Sequence, residues 1–171
     1  MNRGLLKSII LLPGTVLVII PCLILLIFNT LGYPPVLAAL GEARFWLALF
    51  GVSMGISLAA WSVTMLLEHG QGTPAPWEPT NKLVVRGVYR YVRNPMISGA
   101  LFIILAEALF FGSWPLFAWM LIFFIFNLIY FPFVEEVELE KRFGDDYKQY
   151  KTHVPRWLPR LRPWKGTSVD E

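Results

Sequence analysis

Two adjacent carboxylates, Glu135 and Glu136, directly follow a long apolar run, with Glu138 and Glu140 close behind. Acidic residues at that place are disfavoured twice. Anionic lipids at a cytoplasmic membrane surface repel them, and so does the C-terminal half of a helix. A bound cation, an ammonium group or sugar hydroxyls would offset the penalty; a solvated helix end is the plain alternative. Arg93-Asn94-Pro95 stands at the start of another apolar run. Arginine can clamp a carboxylate with two hydrogen bonds, or simply snorkel out of a membrane. Pro95 restrains the backbone that leads into the run. Gly70-Gln71-Gly72 would let a ligand approach the main chain closely, although a turn accounts for the same residues. No strand–turn–helix pattern surrounds it to suggest a dinucleotide site. Glu107 is the one charge inside an apolar run. An intramembrane acid is a functional candidate, but its distance from the other groups favours a structural role, for instance paired with Asn127. His69, His153 and the single Cys22 are too few for a metal centre.

These groups must be positioned by apolar elements. Of 171 residues, 56% belong to the hydrophobic set and only 16% are charged, against about 25% charged in a soluble domain. The mean hydropathy is +0.54. Four runs, residues 9–28, 45–67, 95–111 and 114–134, are long enough or nearly long enough to cross a bilayer, which takes about 20 residues. The first resembles a signal peptide only weakly, because its apolar stretch is too long; an uncleaved span is expected. Gly112-Ser113 joins the last two as a tight hairpin. The fold class is therefore all-α integral membrane, one domain of four transmembrane helices, with a loop at 68–94 and a tail at 135–171. All of the fifteen Lys and Arg residues except Arg44 fall in the N-terminal segment, that loop or that tail. The positive-inside rule makes this side cytoplasmic, with both termini there. A net charge of +3 in so apolar a chain serves orientation and not nucleic-acid binding. Loop and tail then face each other at one surface. Pro74, Pro76 and Pro79 stiffen the loop, Pro132 kinks the last span into the tail, and Gly144 ends the helix that follows. Gly51, Gly55 and Ala59 share a helix face suited to close packing, within the chain or against a second copy.

Taken together, the segments from Gly70 to Pro159 resemble the isoprenylcysteine carboxyl methyltransferase family and its phospholipid methyltransferase relatives. The resemblance rests first on Gly87-Val88-Tyr89, Arg93-Asn94-Pro95 and Gly99, which match a G-x-Y…R-H-P-x-Y-x-G pattern. It rests also on Glu135-Glu136, Leu139, Phe143-Gly144, Tyr147, Tyr150, Val154-Pro155 and Pro159. The chain departs at Asn94, where the family has histidine, and at Ile97, where it has tyrosine. Asparagine cannot titrate, so no base stands at that position.

The resemblance implies S-adenosylmethionine as cofactor, held between loop and tail. It implies Arg93 on a carboxylate and Glu135 and Glu136 on the ammonium or ribose hydroxyls. Asn94 and the backbone near Gly70 and Gly72 would contact adenosine, Pro95 and Gly99 would join them in binding the cofactor, and Tyr89 or Tyr147 would stack on adenine or face the sulfonium. Arg93 and Glu136 are the expected catalytic pair, with Glu136 a proton acceptor for an amine. The acceptor is a lipophilic or small thiol, carboxylate or amine, reached among membrane lipids. A sterol-reductase-like enzyme using NADPH shares parts of the same pattern, and a non-catalytic membrane module remains the third reading.

Overall fold

A chain this apolar satisfies its backbone polar groups most readily within helices. The computed structural model describes residues 13–70 and 80–166. Among these, every regular element is helical and there is no strand. Helix α1 (Thr15–Thr30) opens with a π-helical turn at Thr15–Ile19. Helix α2 is Ala43–His69, and a 3-10 turn, Gly87–Arg90, lies in the connection that follows. Helix α3 is Pro95–Phe110, α4 is Trp114–Tyr130 and α5 is Glu136–His153. A π-helical turn, Phe131–Glu135, fuses α4 to α5. Gly72, the three loop prolines, residues 9–12 of the expected first span and the last five residues lie outside the described residues.

Two helices are long and apolar enough to cross a membrane: α2, and the fused α4–α5 helix Trp114–His153, which bends at Gly144. Helices α1 and α3 are apolar but shorter; the 16 residues of α3 rise only about 24 Å. Large side chains on α2 and α4, such as Phe50, Ile122 and Phe126, point outwards, and Phe133 is 75% exposed. A contiguous apolar exterior of this kind calls for an apolar surrounding.

Small residues set the central contact. Helices α2 and α3 run antiparallel and touch where Gly55 meets Gly99. A Cβ on Gly55 would stand 2.6 Å from the Gly99 carbonyl oxygen, and one on Gly99 would stand 2.7 Å from that of Gly55. The small-residue face of α2 is thus occupied within the chain. Gly112, at φ +54°, turns α3 back into α4. At this end the segment after α1 is tied down as well. Val36 N–H donates to the Phe111 carbonyl (2.9 Å) and Ala38 N–H to that of Phe110 (2.8 Å). Arg44 pairs with Glu42 and donates to the Val36 and Leu37 carbonyls.

At the opposite end, the connection before α3 and the segment after α5 lie side by side. Arg93 N–H donates to the Pro155 carbonyl (2.9 Å) and Asn94 N–H to that of Arg156 (3.4 Å). Farther along, Arg160 N–H donates to Tyr91 and Trp164 N–H to Arg90, both at 3.0 Å. Tyr147, Tyr150 and Val154 form a small separate core there with Leu83, Val85, Leu139, Phe143 and Trp164. Loop and tail therefore meet, as their shared charge pattern suggests.

Two local expectations are refined. Pro132 produces a π-helical turn, because a missing N–H is absorbed by the wider hydrogen-bond ring. Gly144 ends the first part of α5, as expected, but a second helical part follows it directly. The glycine adopts φ 59°, ψ −131°, open to glycine alone, and the helix resumes to His153. Burial of Tyr147 and Tyr150 rewards that second half.

Candidate functional site

Glu136, 3% exposed, is the centre of an ionic cluster at this end of the molecule. Its Oε1 accepts from Arg93 Nη1 at 2.8 Å and from Arg156 Nε at 2.8 Å. Arg156 Nη2 reaches the same oxygen at 2.5 Å. Lys151 Nζ lies 3.0 Å from Oε2 and also binds Glu140 at 2.8 Å. Lys151 follows Glu136 in one helix, and an unbroken helix would separate them by about 22 Å. The reversal at Gly144 brings them together. Burial pushes the Glu136 carboxyl up, but Lys151, Arg93 and Arg156 outweigh it and hold the pKa below 4.5.

Glu135 has the contrary environment. Among the described residues it makes no hydrogen bond or ion pair. Burial raises its pKa from 4.5 to about 7, and the charges of Glu136 and Glu138 add to the effect. Its nearby groups include Tyr89 and Tyr147, whose phenols it makes harder to ionise. Tyr147 is pushed up to about 12, by burial first and by Glu136 next. Its hydroxyl stands 3.5 Å from Arg93 Nη1.

Tyr89 is positioned from below by α2. Its hydroxyl lies 2.6 Å from Oγ of Ser62, which is wholly buried, and its carbonyl accepts from the Tyr150 hydroxyl at 2.8 Å. Gly87 makes this approach possible. Its φ is +52°, and a Cβ would lie 2.7 Å from Met65 Sδ and 2.8 Å from Trp61 Nε1.

Two donors in the cluster lack protein acceptors. Arg93 Nε and Asn94 Nδ2 are buried and make no hydrogen bond among the described residues. Arg93, Asn94, Glu135, Glu136, Tyr89 and Tyr147 thus gather around one end of the helices, with Pro95 buried at the first turn of α3. Gly99 and Gly70 serve other purposes. Gly99 faces α2. Gly70 closes α2, and its carbonyl accepts from the Asn81 and Lys82 N–H groups. Glu107 and Asn127 do not pair: Asn127 Nδ2 donates to the Phe123 carbonyl at 2.7 Å, and Glu107 Oε2 is buried without a partner among the described residues. An amide on a helix finds the carbonyl one turn back before it reaches a neighbouring helix.

Sequence reasoning misses Arg156, Lys151 and Ser62. Arg156 lies in a basic tail where several arginines have equal claims. Lys151 is legible only once the reversal at Gly144 is known. Ser62 reads as one small residue among several.

One comparison with known proteins covers most of this site, ending before Tyr147, Lys151 and Arg156. The family model described as phospholipid methyltransferase matches residues 43–146, from the first residue of α2 into α5. No curated protein and no solved structure gives a significant match.

Proposed function

Because the chain belongs to the phospholipid methyltransferase family, integral membrane methyltransferases related to the isoprenylcysteine carboxyl methyltransferases, we propose that it methylates a lipid-like acceptor at the membrane surface with S-adenosylmethionine. The observation that carries this reading is the division of labour between adjacent carboxylates. Glu136 is locked to three cations, whereas among the described residues Glu135 is unpaired and two buried donors at the same end of the molecule, Arg93 Nε and Asn94 Nδ2, have no acceptor. A ligand with a cationic group and an anionic group satisfies both needs, and S-adenosylmethionine carries an ammonium, a sulfonium and a carboxylate. Glu135 holds the ammonium or the ribose hydroxyls. Arg93 Nε and Asn94 Nδ2 hold a carboxylate of the donor or an anionic group of the acceptor. Tyr89 and Tyr147 offer ring faces to the cation.

Bound there, the cofactor supplies an electrophilic methyl group. The protein then has to align the acceptor and exclude water, which can carry most of the rate. Glu136 fixes the Arg93 guanidinium. An amine acceptor reacts in its unprotonated form, since Glu135 is engaged by the donor and the lowered pKa of Glu136 makes it a poor base. A thiolate or carboxylate acceptor requires no base. In this reading α1 and α3 complete a four-span domain, and the charge pattern puts the site and both termini on the cytoplasmic side.

The test is transfer of radiolabelled methyl from S-adenosylmethionine to lipids by the protein in nanodiscs. Label in an amine, thiol or carboxylate lipid, lost with Glu135→Gln, is the expected result. Donor-independent turnover of a double-bond substrate with NADPH would overturn it.

A further inference from the structure

The segment after α5 does more than hold the loop. The Trp157 ring packs on Phe124 (centroids 5.4 Å apart) and Phe131 (6.1 Å) of the α4 rod. Those two residues precede Glu135 by about 16 and 6 Å along the helix axis. Trp157 therefore dips below the ionic cluster, to the level of the last apolar turns. The chain then comes back up beside the loop, through the backbone bonds of Arg160 and Trp164. Along this course Leu158 is 80% and Leu161 100% exposed. Arg162 and Lys165 are exposed too, and among the described residues neither has a partner. Bare leucines followed by unpaired cations at the edge of an apolar band fit a lipid boundary: acyl chains cover the leucines, and phosphate-bearing headgroups meet the cations.

We propose that Trp157–Lys165 is a strap that lies in the boundary of the membrane and binds anionic lipid, and that its seating holds the site together. The coupling is short. Pro155 and Arg156, immediately before the strap, hold the Arg93 and Asn94 backbone, and Arg156 holds Glu136. The proposal rests on the membrane placement of the α4 rod given above, so the experiment separates the two.

An environment-sensitive fluorophore is attached to Leu161→Cys in a Cys22→Ser background, since Cys22 is exposed. The same label on Ile125→Cys, an outward position of α4, reports whether the rod is in the bilayer. Both proteins are placed in nanodiscs of phosphatidylcholine, alone and with phosphatidylglycerol, and quenched by lipids brominated on their acyl chains. The strap predicts quenching at Leu161 that grows with phosphatidylglycerol and falls in high salt. Replacing Arg162 and Lys165 by Gln lowers the inserted-to-exposed ratio about fivefold per charge. Quenching at Ile125 without quenching at Leu161 would overturn the strap and leave the membrane placement standing. Absence of quenching at both would overturn the placement itself. Quenching at Leu161 that ignores lipid charge and both replacements would overturn the anionic-lipid assignment.

Discussion

At position 136 a carboxylate meets Arg93, Arg156 and Lys151; at position 135 it meets none of them. Their replacements should therefore part. Glu136→Gln leaves buried cations without their counter-charge, and a loss of about 3–5 kcal/mol is expected, seen as a lower thermal midpoint in detergent. Its lowered pKa gives a contribution present above 4.5 and lost as the pH falls through the folded value. Glu135 works the other way. Its pKa is raised from 4.5 to about 7, so its own contribution to stability is full below 4.5 and is lost as the pH rises through 7. Glu135→Gln should then match or exceed the wild type in thermal stability above pH 7. The same variant should bind the donor about 10- to 100-fold more weakly, the worth of a hydrogen bond to a charged group. Wild-type affinity should rise between pH 6 and pH 8 as Glu135 ionises. A calorimetric titration series checks both; flat affinity across that interval would mean Glu135 does not touch the cation. The pair was legible in the sequence as a pair. Which member was free was not, because that depends on an arginine twenty residues onward and a lysine across a chain reversal.

Elements carry the next layer. Gly55 and Gly99 let α2 and α3 approach to backbone contact. Gly55→Ala forces the helices apart at a point where only the Ile103 side chain can yield, and about 1–3 kcal/mol of stability should be lost. The helix–helix contact is readable from the spacing of Gly51 and Gly55, whereas Gly99 stands in a motif that points to the cofactor and in the structure faces Gly55. Packing explains its smallness fully. Gly144 shows the opposite limit. As a helix stop it was half right: the backbone does leave the helical region there, and two buried tyrosines draw the chain back into a helix. Gly144→Ala meets no steric neighbour but a backbone conformation closed to alanine. Its expected effect is release of Lys151 from Glu136, seen as lower thermal stability that high salt narrows by weakening the wild type's ion pairs.

For the whole molecule, two ends divide the tasks. The hairpin end is tied by Arg44 and the main chain of the segment after α1; the site end gathers loop, tail and nearly all the basic residues. The apolar runs and the charge asymmetry made this division visible without coordinates. Helix ends shifted by a few residues, since lipid-facing stretches tolerate either boundary. Cysteines placed singly at Ser113 and at Gly166, in a Cys22→Ser background, should be labelled by impermeant maleimide from opposite sides of sealed vesicles. Labelling of both from one side would contradict the four-span arrangement. The central claim, a donor site built on Glu135 and Arg93, is tested most directly by calorimetric titration of the detergent-purified protein with S-adenosylhomocysteine, which keeps the carboxylate, ammonium and adenosine. NADPH and Glu135→Gln serve as controls. Saturable binding of S-adenosylhomocysteine, weakened in the variant and absent for NADPH, is the predicted result. A folded protein that binds NADPH in its place, or binds neither, would contradict the account.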